Sequence, residues 1–295
     1  MKKVFILFLT VTVFIGLLFL ACAKEGKKGK EQDDDTADDD DELPFCEEPK
    51  IQDSAFFTPG ELEDNKIWVI TDGRAITPVG DMLQVCLFPS DLVISPDGKY
   101  AFVLCAGKRN RGIDVVDLEN LQVANQIRRS GASFAGLALS SDGTKLYFSG
   151  AHENKVFEYQ IDGSSLTLKR QFDVSSFPTG IAIAPDGSYL LVCSNTGNRL
   201  NKIDLETGQQ VAVVGTQVYP YEVAIDPNFK RAYVSNWGSN SVSVIDLNNF
   251  SVISHITVGK NPEDIVISSN GKRVYVANSD SDTISVIDGQ SLTVL

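Results

Sequence analysis

The sequence predicts an all-β fold built from one repeated unit, and three observations support this prediction. An Asp closes a short apolar run at five places, which are separated by 45, 42, 42 and 42 residues. Each unit holds three to four short apolar strands, and a tight polar turn separates the first two. A period of about 40–45 residues with four strands per unit is typical of the blades of a β-propeller. The five closing residues are Asp117, Asp162, Asp204, Asp246 and Asp288.

The first unit shows how the strands are assigned. Its four strands are expected at residues 91–95, 100–105, 113–117 and 122–128. The turn Pro96-Asp97-Gly98-Lys99 separates the first two, because Pro fixes φ and Gly tolerates a positive φ. The same order recurs four times, so we predict a propeller of five visible four-stranded repeats, each of about 42 residues, over residues 88–295.

The N-terminus has the features of a targeting segment. Lys2 and Lys3 precede an apolar run over residues 4–20, and Ala21 precedes Cys22. This arrangement resembles a bacterial lipoprotein signal peptide, which would span residues 1–22 and make Cys22 the lipidated first residue. An uncleaved membrane anchor is the alternative, because the run approaches the length that spans a bilayer. Both interpretations export the domain and hold it at a membrane.

Residues 23–50 are expected to form a disordered acidic tether. Residues 24–50 contain 12 acidic and five basic residues and almost no apolar residue that could enter a core, so the segment should remain extended. Calcium chelation by the Asp run is the alternative, although flexible acidic runs bind Ca²⁺ weakly without a shaped loop. Residues 51–87 should then supply N-terminal strands, at 67–71 and 82–86, that lead into the propeller.

The net charge and the cysteine content limit the classes of partner and the compartment that the chain can have. The chain has a net charge of −13, and an acidic surface argues against nucleic acid as a partner. Four cysteines remain after Cys22 and should face an oxidising compartment. We expect Cys46 and Cys86 to form the disulfide, because both flank the start of the domain. We expect Cys105 and Cys193 to be buried as small apolar residues.

Two segments carry a family resemblance over about residues 86–295. Tyr233-Val234-Ser235-Asn236 and Tyr275-Val276-Ala277-Asn278, each followed by Ser-Val-Ile-Asp, resemble the YVTN family of β-propeller repeats. Residues 72–78 are similar to the start of bacterial YVTN propellers that are fused to an alkaline-phosphatase-type phosphoesterase domain, which this sequence does not contain. The resemblance implies a seven-bladed parent, so we expect a C-terminally truncated chain; genuine closure with five blades is the alternative.

The channel mouth is the candidate site, because the loops there gather polar side chains from several blades. The position two residues after the Pro-like start of each unit should point toward it, and three of its five residues are acidic. This acidic ring predicts a site for a cation such as Ca²⁺ or for a cationic ligand. Alternatively, the acids satisfy backbone N–H groups at strand ends. The ring position holds Asp91, Gly136, Gly180, Glu222 and Asp264, and the neighbouring loops add His152, Asn195, Asn236, Trp237 and Asn278.

The sequence assigns no catalytic residue. It has two histidines, His152 and His255, and no nucleophile, metal-binding or phosphate-loop motif. We therefore expect a binding scaffold, anchored in the bacterial cell envelope on the periplasmic or outer surface, with the outer membrane favoured. Its partner would be a small ligand or an envelope protein. The alternatives are the propeller part of a phosphoesterase fusion, a lactonase-like hydrolase that uses His152, and a purely structural envelope protein.

Overall fold

The computed structural model describes the repeat region and three short strands before it. The predicted signal peptide and tether, with Cys22 and Cys46, lie outside the described residues. Within those residues, no helix is long and apolar enough to cross a membrane. The described ranges are 60–62, 67–69, 75–76, 83–86, 88–107, 111–129, 136–174, 176–226 and 228–295.

The chain divides into two units, which we describe separately. The first contains a small antiparallel sheet, in which β2 lies between β1 and β3 and Glu61 pairs with Trp68. The second begins at Leu83 and contains the repeats. Residues 83–86 are irregular, although the sequence predicted a strand there. The strands of the first unit are β1 (Gly60–Leu62), β2 (Ile67–Val69) and β3 (Ala75–Ile76).

The described part of the second unit is a β-propeller of five antiparallel sheets, which confirms the predicted fold. Each strand pairs with the strand that follows it in the chain, so every blade is a simple meander. The first blade contains β4 (Pro89–Ile94), β5 (Tyr100–Cys105), β6 (Gly112–Asp117) and β7 (Gln122–Arg128). The second contains β8 (Leu137–Leu139), β9 (Lys145–Ser149), β10 (Lys155–Asp162) and β11 (Ser165–Asp173).

The remaining blades follow the same order, and the fifth has three strands among the described residues. The third contains β12 (Pro178–Ile183), β13 (Tyr189–Ser194), β14 (Arg199–Asp204) and β15 (Gln210–Gly215). The fourth contains β16 (Pro220–Asp226), β17 (Arg231–Asn236), β18 (Ser241–Asp246) and β19 (Ser251–Thr257). The fifth contains β20 (Pro262–Ile267), β21 (Arg273–Asn278) and β22 (Thr283–Asp288).

Short 3-10 helices join the second and third strands of three blades. They cover Ala151–Glu153, Trp237–Ser239 and Ser279–Ser281. In each case the residue after the helix has a left-handed conformation, and it is Asn or Asp, the residue types that tolerate it best. Two of these helices carry a candidate side chain of the predicted mouth, namely His152 and Trp237.

Acidic side chains at the turns have a structural role. In the first inner turn, Asp97 Oδ1 accepts hydrogen bonds from the Ser95 hydroxyl at 2.6 Å and the Lys99 backbone N–H at 3.1 Å. The closing residue Asp117 accepts the side-chain amide of Asn120 at 2.8 Å and the backbone N–H groups of Glu119 and Asn120 at 2.9 and 3.0 Å. These bonds favour the ionised form and lower the pKa of both aspartates. The closing Asp thus holds the turn after the third strand.

A β-bulge lies at the start of the innermost strand in four blades. In the fourth blade, Pro220 pairs with Asn236 and Val223 pairs with Val234, so the inner strand carries one residue more than its partner. The same shift follows Pro89, Pro178 and Pro262. A bulge re-aims side chains and interrupts the ladder. It falls on the residues that the sequence predicted to point toward the channel mouth.

Neighbouring blades pack through apolar side chains. Between the fourth and fifth blades, buried Tyr233 and Val244 pack in one cluster with Ile265 and Val274. On the opposite face of the fifth blade, Val266 remains 57% exposed. Burial of one large apolar side chain contributes about 1.5–3 kcal/mol, so these layers supply much of the stability that joins the blades.

The disulfide differs from the predicted one. Cys86 is bonded to Cys105, with their Cα atoms 5.8 Å apart, instead of to Cys46. Cys105 is therefore not a free buried thiol, whereas Cys193 is buried and free as expected. The reason is local: Cys105 ends β5 opposite Pro89, three residues after Cys86. Asp114 of β6 holds the same segment by accepting the Cys86 backbone N–H at 2.9 Å.

Candidate functional site

The structure brings the three predicted acids into electrostatic contact. Asp91, Glu222 and Asp264 come from the inner strands of the first, fourth and fifth blades. Asp264 acts on both other carboxyls, and Asp91 acts on Glu222. Asp91 and Glu222 are half-buried, while solvent reaches Asp264. The bulges therefore turn acids from distant parts of the chain toward one place.

Each acid also caps the backbone of its own bulge. Asp91, Glu222 and Asp264 accept the backbone N–H of the next residue at 2.7, 2.9 and 2.8 Å. Asp91 accepts a second bond, from the Leu137 N–H at 2.9 Å. This is the capping role that the sequence left open as the alternative. In Glu222 and Asp264 the caps engage a single oxygen, so a role toward a ligand is compatible with them.

Burial and mutual repulsion raise the pKa of these acids. Burial, followed by the charge of Asp264, raises the pKa of Asp91 to about 7. Burial and then Asp91 raise the pKa of Glu222 well above its usual range. Burial also raises the pKa of Asp264, although access of water to this side chain tempers the effect. The charges that act on the three carboxyls are those of other carboxyls.

Glycines occupy the equivalent positions in the second and third blades because the inner strands approach closely there. A Cβ on Gly136, whose φ is +99°, would lie 2.0 Å from the carbonyl oxygen of Thr179. A Cβ on Gly180 would lie 2.6 Å from Oε1 of Glu222. These positions therefore require glycine for steric reasons.

A fourth acid, which the sequence analysis missed, lies beside the ring. Glu263 precedes Asp264 in the same bulge and is 2% exposed, and its Oε2 atom has no hydrogen-bond partner among the described residues. Burial raises its pKa to about 7, against hydrogen bonds from Ser279 and Trp237 and together with the charges of Asp280 and Asp264. The sequence signal was the adjacent pair Glu263-Asp264 after Pro262.

Tyr221 is affected by the charges of all four acids. Burial raises its pKa, followed by the charges of Glu263, Glu222, Asp91 and Asp264. The phenol therefore stands within electrostatic reach of every carboxyl in the group. We call these five residues the mouth cluster: Asp91, Tyr221, Glu222, Glu263 and Asp264.

The aromatic side chain of Trp237 lies next to the mouth cluster. It begins a 3-10 helix after β17, and its backbone N–H donates to the Tyr219 carbonyl at 2.9 Å. The centroids of the Trp237 and Tyr219 rings are 6.4 Å apart, and Tyr219 is 43% exposed. Trp237 also hydrogen-bonds the Glu263 carboxyl. The sequence predicted Trp237 as a mouth residue but missed Tyr219.

The other predicted side chains lie apart from the acids or face inward. His152 is exposed, and its ring contacts that of Phe177 edge-on at 4.7 Å. Asn195 Nδ2 donates to the Pro220 carbonyl at 3.1 Å and so ties the third blade to the fourth. Asn236 and Asn278 are buried and donate to hydroxyls of the next strand, among them Ser243 at 2.9 Å and Ser285 at 3.0 Å.

The three ring carboxyls do not form a compact metal-binding group. The reactive atoms of Asp91, Glu222 and Asp264 do not all lie within 4.8 Å of one another. Among the described residues such a grouping occurs at Cys86, Cys105 and Asp114, where the two cysteines form the disulfide.

These features define a β-propeller protein in which carboxyl groups from three blades are in electrostatic contact. The family model described as "YNCE-like beta-propeller" matches residues 68–295, and the chain belongs to that family. The family agrees with the propeller repeats that the sequence predicted. A search of curated proteins found no match.

Two solved structures show the same fold. Kuenenia stuttgartiensis hydrazine synthase is 22% identical with a TM-score of 0.60; the match covers 72% of this chain and 66%, just under two thirds, of that chain. A functionally unknown protein from Desulfotomaculum acetoxidans is 17% identical with a TM-score of 0.60 and covers 79% of this chain and 73% of its own. At these identities the likeness concerns the fold alone.

Proposed function

We propose that the chain is a binding scaffold that holds a positively charged ligand or partner group at the channel mouth. The carrying observation is that Asp91, Glu222 and Asp264 are in electrostatic contact: beside the larger effect of burial, Asp264 raises the pKa of Asp91 and of Glu222, and Asp91 raises that of Glu222. Gathering like charges in a protein-enclosed place is unfavourable. A bound cation would relieve this cost. Ca²⁺ is one candidate occupant, since it takes carboxylate oxygens.

Ligand-dependent stability tests the proposal. Thermal unfolding of the full chain is followed with CaCl₂ and with an alkylammonium chloride, against NaCl at equal ionic strength. A ligand at about 100 times its dissociation constant should add about 2.7 kcal/mol. The double variant Glu222→Gln, Asp264→Asn should lose this gain, while the exposed control Glu206→Gln keeps it. If no cation stabilises the wild type more than NaCl does, the proposal falls.

We propose further that the scaffold is fixed to the bacterial cell envelope by a lipid on Cys22. The apolar run before Cys22 and the acidic segment after it support this. Mass spectrometry of the mature N-terminus should find a diacylglyceryl group on Cys22, and Cys22→Ala should release the protein from the membrane fraction. An unmodified N-terminus would contradict the anchor.

A hydrolase is the second candidate, either lactonase-like or as the propeller part of a phosphoesterase fusion. One observation favours it: a carboxyl with a pKa of about 7, such as Asp91, can act as a general base at neutral pH. Hydrolysis of a sugar lactone that disappears in both Asp91→Asn and His152→Ala would support it. If the chain neither binds cations nor hydrolyses lactones, the purely structural envelope role remains.

A further inference from the structure

Glu263 points to the kind of cation that the mouth takes. Its carboxyl is almost completely buried, yet Oε2 has no hydrogen-bond partner among the described residues. A buried acceptor left unpaired is costly, and native proteins rarely keep one without a reason. In the ionised form Oε2 is an acceptor, and it is closed to solvent in the structure, so a ligand that carries N–H or O–H groups satisfies this atom once neighbouring side chains move aside.

The aromatic neighbours indicate the chemistry beside that donor. Trp237 hydrogen-bonds the Glu263 carboxyl, and the rings of Trp237 and Tyr219 stand 6.4 Å apart at the surface. Aromatic faces attract organic cations and cover the methylene groups attached to them. Carboxylates beside two aromatic rings therefore suit a cation on an alkyl chain better than a bare metal ion.

The ring geometry points the same way. The carboxylates of Asp91, Glu222 and Asp264 do not converge to within 4.8 Å, and Asp91 already accepts two backbone N–H groups through its two oxygens. Ca²⁺ requires six to eight oxygens at about 2.3–2.6 Å. An ammonium group donates three hydrogen bonds in separate directions, which suits dispersed acceptors.

We propose that the mouth binds a primary alkylammonium group, with Glu263 as its hydrogen-bond acceptor and with Trp237 and Tyr219 along its alkyl chain. This inference rests on the proposed function and narrows its ligand. A free amine and a lysine side chain present the same group. With either ligand, the three ring acids would balance the positive charge of the ammonium group from the opposite side of the mouth.

The test compares three cations by titration calorimetry of the full chain at about pH 7. The probes are 1,5-diaminopentane, tetramethylammonium and Ca²⁺, each as the chloride. We expect the diamine to bind at least about tenfold more tightly than tetramethylammonium, which cannot donate a hydrogen bond. Nα-acetyl-lysine amide serves as the source control: tighter binding than the diamine indicates a lysine side chain, and weaker binding indicates a free amine.

Variants assign the contact. Glu263→Gln should weaken diamine binding by about tenfold or more, while the exposed control Glu206→Gln should not. Binding of the diamine should change the tryptophan fluorescence. Trp237→Phe should abolish this change, while circular dichroism shows that the protein stays folded. If Glu263→Gln does not fold, Glu222→Gln replaces it, with the same expected direction.

Proton release gives an independent readout. The groups that face Glu263 are Asp264, Asp280 and Tyr221, and burial with the two aspartates keeps the Glu263 carboxyl partly protonated near neutral pH. Binding of an ammonium group should release protons, so the binding enthalpy should depend on the ionisation enthalpy of the buffer. A buffer-independent enthalpy would contradict the assigned contact.

The outcomes separate the two levels of the argument. Tight Ca²⁺ binding without diamine binding overturns this inference and leaves the cation-binding scaffold standing. Equal affinity for the diamine and tetramethylammonium also overturns it, because the acceptor role of Glu263 would then be absent. Binding of none of the probes overturns both.

Discussion

Asp91 of the first blade accepts the backbone N–H of Leu137 in the second blade, with Oδ2 2.9 Å from the nitrogen. Its other oxygen accepts the Leu92 N–H at 2.7 Å. The same carboxyl therefore joins two inner strands and faces the other acids of the mouth cluster. Fold and candidate site share this residue, so changes at the mouth should be measurable as changes in stability.

The first prediction concerns pH. Because the folded-state pKa of Asp91 is raised to about 7, its stabilising contribution is complete below about pH 4 and is lost as the pH rises through 7. Glu222, Glu263 and Asp264 shift in the same direction. We expect urea unfolding to show about 1–2 kcal/mol more stability at about pH 5.5 than at about pH 8.

Asp91→Asn provides the control for this prediction. The variant cannot ionise at this position, so it should reduce the difference in stability between the two pH values without abolishing it. Turn aspartates such as Asp97 have lowered pKa values and stay charged over this range. Equal stability of the wild type at both pH values would contradict the assigned shifts.

The second prediction compares neighbours on β20. Ile265 is 4% exposed and packs against the fourth blade, whereas Val266 is 57% exposed on the opposite face. We expect Ile265→Ala to cost about 2–4 kcal/mol and Val266→Ala less than about 1 kcal/mol. Chemical denaturation of both variants measures this. Similar costs would show that the fifth blade does not pack as described.

The third prediction concerns the disulfide. The bond closes a loop between residues 19 apart in sequence, for which chain entropy predicts about 3 kcal/mol of stabilisation. Reduction, or the double variant Cys86→Ser, Cys105→Ser, should lower the unfolding temperature, and Cys193→Ser serves as the unbonded cysteine control. A linked peptide that contains Cys46 would contradict the pairing.

The fourth prediction separates scaffold from site. Asn236 is fully buried, and its amide donates to the hydroxyls of Ser241 at 3.1 Å and Ser243 at 2.9 Å. We expect Asn236→Ala to cost about 1–3 kcal/mol and to leave cation affinity unchanged. The control variant Asn248→Ala, at an exposed residue in the turn after β18, should cost less. If the Asn236→Ala protein is folded but has lost its affinity for cations, Asn236 belongs to the binding site.

The repeat pattern predicted what each blade contributes by itself. The strands, the turn acids and the bulge acids Asp91, Glu222 and Asp264 occupy fixed places in a unit, so aligning the units revealed them. Asn236 shares this regularity, but its amide turns into the blade, and alignment alone cannot give that direction. Alignment of the repeats gives the position of a residue within its blade, whereas the direction of its side chain depends on the neighbouring strand.

The parts that were missed depend on contacts between units or outside them. Glu263 occupies a column that otherwise holds Ser90, Ala135, Thr179 and Tyr221, so no shared chemistry singles it out. Packing of the fourth blade against the fifth places Tyr221 within reach of the charge of Glu263. The Cys86–Cys105 bond was missed because residues 83–86 are irregular and carry no period that would indicate their path.

The bulge after the inner proline places a side chain where the ladder of strand hydrogen bonds is interrupted. In the fourth and fifth blades the substitution of Glu222 or Asp264 would remove a backbone cap but would leave the pairing of the strands on either side. A lineage could therefore exchange the chemistry of the mouth through a handful of substitutions, limited mainly by the room that Gly136 and Gly180 leave to their neighbours. These few positions are therefore the ones to substitute in order to change the binding specificity while the blades of the propeller stay the same.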